Sequence, residues 1–173
     1  MMMSLGVAGA VIVGVVAMAT NSWATLKVQL PPLPELDMSL GLFKVCTNDT
    51  CEDYKNEKSE VKNGRMVTIV LCVLALVLAG IFVALQYVGN FANGMIPMYV
   101  MLGAGVMALL AGVLWAVLVK AKNDDDFEKA PIGKKSSFGY SYYLQMVAGL
   151  LFVGVGVWAH FSAKKGSKMM AFW

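Results

Sequence analysis

The chain of 173 residues is 58% hydrophobic and 14% charged, with a mean hydropathy of +0.67, which lies outside the range of soluble globular domains. Its 14 basic and 11 acidic residues leave a formal net charge of +3, gathered in a few polar islands without the basic stripe of a nucleic-acid binder. One histidine and three cysteines leave little material for a zinc site or a Cys/His catalytic pair.

A bilayer core about 30 Å thick needs about 20 apolar residues at 1.5 Å rise each. Residues 5–20, 66–88, 96–119 and 142–160 qualify as spans, and none carries Asp, Glu, Lys or Arg in its interior. That sets aside proton relays, ion-coordinating carboxylates and voltage sensors, which place charge in the membrane despite its cost.

In the first span, Gly6, Ala10 and Gly14 recur at every fourth position, a spacing that lets helix backbones approach closely. Ala17-Met18-Ala19 resembles a signal-peptidase site, but no basic segment precedes it, so the span is expected to stay as an anchor. Cleavage is the alternative and would leave three spans.

The first connection, residues 21–65, opens with the alternating segment Trp23 to Leu30, which suits a half-exposed strand and is ended by Pro31, Pro32 and Pro34. Trp23 can serve as a headgroup-level anchor or pack beneath a small sheet, and both roles stay open. Cys46 and Cys51 are separated by four residues. Facing each other across antiparallel strands joined by a four-residue turn, they can form a disulfide, with two free thiols as the alternative. Closing so small a ring contributes roughly 2 kcal/mol. Asn48-Asp49-Thr50 between them is a glycosylation sequon.

Cys72 in the second span reads as a small packing residue. After the uncharged turn 89–95, the third span carries Ala104, Ala108, Gly112 and Ala116 at fourfold spacing, for packing inside the bundle or against a lateral partner. The second long connection, residues 120–141, holds Asp124, Asp125, Asp126 and Glu128. It is expected as a solvated loop rather than a cation site. Residues 161–173 form a tail whose Lys164, Lys165 and Lys168 beside Phe172 and Trp173 suit contact with membrane lipids. His160 reads as interfacial and the thirteen methionines as adaptable filler.

Orientation signals conflict. The two long connections carry eleven Lys and Arg against three in the tail, a bias that places them in the cytoplasm. The cysteine pair and the sequon make sense outside the cytosol, and eleven acids interleave the loop cations. The loop chemistry carries more weight, so the long loops are expected outside and both termini in the cytoplasm.

A tryptophan after the first span, a Gly-Leu-aromatic turn, two close cysteines and an arginine at the mouth of the second span stand here as Trp23, Gly41-Leu42-Phe43, Cys46, Cys51 and Arg65. Together they resemble the claudin and peripheral-myelin-protein superfamily. Ala17 to Trp23, the sequon between the cysteines and Phe138-Gly139-Tyr140-Ser141-Tyr142 resemble its epithelial and lens-fibre membrane protein branch. The resemblance implies an all-α membrane protein: a left-handed bundle of four transmembrane helices with a small extracellular antiparallel β-sheet, fed mainly by the first loop and by one strand of the third connection. Phe43 replaces the family's tryptophan, keeping an aromatic anchor without the indole donor. The end Met170-Ala171-Phe172-Trp173 is unlike the PDZ ligand of claudins, so the resemblance does not extend to scaffold attachment.

No nucleophile with a base, carboxylate pair or phosphate loop is present in the sequence. The expectation is a protein that is not an enzyme and has no cofactor, metal, nucleic acid or small-molecule substrate. Its expected role is in the plasma membrane at cell contacts, through adhesion and through lateral assembly as a homo-oligomer or with another membrane protein. The alternatives are an auxiliary subunit of a channel or receptor, and a pore lined by Glu35 and Asp37.

Overall fold

The computed structural model describes residues 2–28, 36–48, 50–54, 59–88, 96–129 and 136–170. Helices α1 (Met2–Ala19), α2 (Ser59–Val88), α3 (Ile96–Leu114), α4 (Ala121–Lys129) and α5 (Tyr140–Met170) are accompanied by a small sheet of β1 (Ala24–Val28), β2 (Leu36–Leu40), β3 (Lys44–Thr47), β4 (Thr50–Asp53) and β5 (Ser137–Phe138). Helix α2, α3 with its extension, and α5 are long and apolar enough to cross a membrane, while α1 is shorter. The helices overrun the apolar runs. Helix α2 starts at Ser59 in polar sequence, and α5 continues through the tail lysines to Met170. The turn 89–95, Pro31, Pro32, Pro34 and Glu35 lie outside the described residues.

Without a hydrophobic effect between helices in lipid, close backbone approach must supply the packing. The tightest approach joins α3 to α5, where a Cβ on Gly105 would meet the Val153 backbone nitrogen at 2.9 Å and one on Gly149 would meet the Leu109 nitrogen at 3.2 Å. Ala104, Ala108 and Gly112 are buried on the same helix, within the bundle. Ala116 is half-buried, and its place on the inner face is taken by Trp115 and Val119. A strict fourfold spacing drifts by about 40° per step around a helix of 3.6 residues per turn, which carries Ala116 off the face. On α1 the same drift leaves Gly6 exposed, with Val7, Ala10, Gly14 and Ala17 buried.

The sheet is antiparallel throughout, in the order β4-β3-β2-β1-β5. Alternation sends Ala24, Leu26, Leu40 and Val45 to the face against the bundle, and Thr25, Lys27, Asp37, Ser39 and the cysteines to the outer face. Cys46 and Cys51 lie directly opposite and form the disulfide, with Cα atoms 4.0 Å apart. The turn is tighter than the expected four residues. Thr47 pairs with Thr50, leaving two residues in the turn, and Asn48 at φ 50° suits the left-handed entry of such turns.

Between α1 and β1 the chain passes through a narrow slot. A Cβ on Gly41 would lie 2.7 Å from the Asn21 Cα, and one on Gly139 would overlap the Ser22 backbone carbonyl. Both glycines are therefore required by the close passage of residues 21–23. Gly139→Ala is expected to cost about 3 kcal/mol or more, because backbone cannot yield as a side chain can. Gly154→Ala, whose Cβ would enter open space, is expected to be neutral or to stabilise by up to about 1 kcal/mol. Thermal unfolding in detergent checks the pair.

Candidate functional site

The site is the sheet together with its junction to the bundle, and Trp23 is its centre. Trp23 is fully buried, so of its two sequence readings it takes the one beneath the sheet. Its Nε1 donates to the Ala17 carbonyl at 2.8 Å, satisfying one of the carbonyls that the end of α1 leaves open. The ring meets Trp115 at 5.3 Å and Tyr142 at 6.5 Å between centroids, contacts that add about 1 kcal/mol each beyond area burial. Trp115 and Tyr142 were not singled out in the sequence as partners of Trp23. The available signal was a tryptophan inside an apolar span, at helical spacing from Ala111 and Val119.

Around Trp23 the chain is stitched by polar groups. Trp23 N donates to Leu40 O and Gly139 N donates to Trp23 O. Ser141 is the knot: its N donates to Ser22 O, its Oγ accepts from Ser22 N at 3.3 Å, and its Oγ pairs with Thr20 Oγ1 at 2.6 Å. The end of α1 and the start of α5 are thereby tied side by side.

The β2–β3 turn is held from the other side. Tyr54 Oη donates to Gly41 O at 2.8 Å, Arg65 Nη1 donates to Leu42 O at 3.0 Å, and the Arg65 guanidinium lies 4.0 Å over the Tyr54 ring. Leu42 fills the core beside Trp23 and Trp115, whereas Phe43 is 45% exposed. The anchor in this turn is therefore the leucine, and the aromatic that replaces the family's tryptophan faces outward.

The acidic run is helical, which corrects its reading as a solvated loop. Residues 115–120 form a π turn in which Ala121 N donates to Ala116 O, five residues back. The extra residue rotates the following helix so that Asp124 falls on the same side as Trp115 and Val119. Asp124 is buried, with Lys120 Nζ at 2.6 Å on one oxygen and Ser136 N at 2.8 Å and Ser136 Oγ at 2.6 Å on the other. Lys120 also sits 4.7 Å over the Phe138 ring. This network fixes the chain entering β5. Among the described residues no cluster of His, Cys, Asp or Glu could hold a metal ion.

Burial alone would push the Asp124 carboxyl up, but the hydrogen bonds from Lys120 and Ser136 and the Lys120 charge outweigh it and hold it below the ordinary value. The stabilisation is therefore complete above about pH 3.9, the value in an unfolded chain, and is lost as pH falls through the lower folded value. Asp124→Asn is expected to cost about 2 kcal/mol through loss of charge-assisted bonds. Thermal midpoints of the two proteins should differ by a constant amount from about pH 5 to 8 and converge below about pH 4. A gap that widens in acid contradicts the assignment.

The sheet presents two surfaces away from the bundle. One is the outer face, with the Lys27 and Asp37 pair at 3.4 Å. The other is the β4 edge, which has no strand beyond it among the described residues and whose four residues are all exposed. Lys44 O and Asn48 N both bond toward β2. By alternation Val45 and Thr47 bond toward β4, which leaves the backbone groups of Cys51 and Asp53 facing outward. No curated protein matches the chain significantly. The model of the PMP-22/EMP/MP20/Claudin family matches residues 1–159. With Trp23, the disulfide hairpin and Arg65 joined at one end of a helical bundle, the chain belongs to the PMP-22/EMP/MP20/Claudin family of membrane proteins.

Proposed function

We propose that this non-enzymatic membrane protein organises plasma membrane at cell contacts, with its sheet outside the cell and both termini in the cytoplasm. The observation that carries the reading is the exposed β4 edge, held at a fixed position on the bundle by Trp23 and Arg65. An open edge can add a strand from a neighbouring copy, beside it or on the opposing membrane. The polar outer face and the disulfide support an extracellular place for the sheet.

Exposed Tyr140 and Tyr143 at the start of α5 and exposed Trp158 and Phe161 toward its other end form two aromatic levels. Tyr140 and Phe161 are separated by 21 helical steps, about 30 Å, which matches the thickness of a bilayer core. The sheet then stands at the headgroup level of one leaflet.

An auxiliary-subunit role draws less support, because Ala104, Ala108 and Gly112 pack within the bundle rather than facing a client. For a pore, Asp37 is paired with Lys27 and Glu35 lies outside the described residues.

Asp53→Pro removes one outward N–H at the edge without breaking a bond within the sheet. Cells expressing the unmodified protein are expected to show it enriched at contacts and in strands or arrays by freeze-fracture. The Asp53→Pro protein should reach the surface with its thermal midpoint kept and its contact enrichment reduced several-fold. Dispersed particles with no enrichment in the unmodified protein sink the reading.

A further inference from the structure

The sequon at Asn48 lies wholly inside the ring that the disulfide closes: Cys46, Thr47, Asn48, Asp49, Thr50, Cys51. We infer that closure of the Cys46–Cys51 disulfide blocks glycan transfer to Asn48, so that Asn48 is modified only in the interval before the ring closes. The inference rests on the proposed placement of the sheet outside the cytosol.

Transfer forms a bond from Asn48 Nδ2 to the anomeric carbon of a lipid-linked oligosaccharide. The bond from that carbon to the pyrophosphate oxygen breaks, the lipid pyrophosphate leaves with the electron pair, and one amide proton passes to a base of the transferase. A carboxamide nitrogen is a weak nucleophile because its lone pair is shared with the carbonyl. The transferase must therefore surround the side chain and bring the sequon hydroxyl close to it, which needs a pliable chain. Ring closure takes two electrons and two protons from the thiols and passes them to an oxidised dithiol carrier, which is reduced.

In the closed hairpin the described residues on either side of the turn are held in place. Thr50 is fixed in register opposite Thr47, and Cys51 opposite Cys46. Asn48 is bound to β2 on two sides: its N donates to Asp37 O at 2.8 Å, and its Oδ1 accepts from Asp37 N at 3.1 Å. Its backbone sits at φ 50°. This register, the two bonds to Asp37 and the closed ring all restrain the movement that draws the Thr50 hydroxyl to the Asn48 amide. The product is not forbidden, because Asn48 is exposed and the ring can close behind an attached glycan.

The two reactions run on overlapping clocks. Synthesis at about 5 to 20 residues per second needs seconds to complete the chain, and disulfide formation starts on the scale of seconds. Cys51 directly follows Thr50, so sequon and ring become available together. The result is two populations, one with a bulky sugar at the hairpin tip beside the β4 edge and one without.

The test is glycosidase-sensitive gel mobility of the full chain in mammalian cells, with and without a reducing pulse during synthesis. Unmodified protein is expected to show partial occupancy, rising several-fold with the reductant and in Cys46→Ser/Cys51→Ser; Asn48→Gln should abolish the shift. Asp37→Asn in the Asn48→Gln background creates a sequon with Met38 and Ser39 outside the ring. It should be modified to the same extent with or without reductant. Full occupancy of the unmodified protein, or equal occupancy with and without the cysteines, overturns the inference while a modified Asp37→Asn control leaves the placement of the sheet standing. An unmodified control overturns the placement itself.

Discussion

The structure depends on one close passage. Residues 21–23 leave α1 and enter the sheet between Gly41 on one side and Gly139 on the other, with backbone nearly touching backbone at both. Such an approach is open only to glycine. It fixes three things at once: Trp23 drops into the bundle, β1 becomes an inner strand with β2 and β5 on its flanks, and the start of α5 is set beside the end of α1. The indole N–H that reaches the Ala17 carbonyl is part of the same solution. In lipid a carbonyl without a donor costs several kcal/mol, and the chain supplies the donor six residues on.

The sheet lacks a core of its own and borrows one from the bundle. Leu40 and Leu42 from the sheet join Trp23, Val61, Ala111, Trp115 and Val119 in one buried cluster. A separate cluster lower in the bundle, around Phe82, Met101 and Phe152, packs helix against helix through small residues such as Ala104 and Ala108. The division follows from solvent. Where water borders the protein, large aromatic and aliphatic side chains gain from burial. Where lipid borders it, burial of apolar groups gains little and backbone approach at Gly105, Gly149 and Gly156 takes over.

What could be read from sequence were features with a strong local signal. Four uncharged apolar runs of about 20 residues read as helices because a single segment can satisfy its own backbone polar groups in lipid only in that form. Two cysteines five apart mark a hairpin closed by a disulfide. Features set by phase were not legible. The π turn at residues 115–120 contains no proline or glycine, and without it Asp124 falls on the solvated side. The acidic run therefore read as a loop, although its first member is buried against Lys120 and Ser136. Likewise the fourfold stripe on α3 held for three members and failed at Ala116, because a spacing of four is not a helical period. The exchange of roles between Leu42 and Phe43 is a matter of which side of a two-residue step faces inward, and composition carries no information about that.

On the proposed reading, these constraints bear on recognition through rigidity. A hairpin in water is marginal alone, and a sheet of short strands gains independent order only by packing against something else. Here the disulfide fixes the tip of the β3–β4 hairpin, the Tyr54 and Arg65 contacts hold the β2–β3 turn, and Ser141 and Asp124 tie the fifth strand to two helices. A surface so small offers little area for binding, and association must still offset the loss of translational and rotational freedom. An edge already ordered adds no further cost for fixing its own backbone. On the proposed reading, the polar groups of the seam do more than join two parts of a fold: they hold a four-residue strand ready to act as a template.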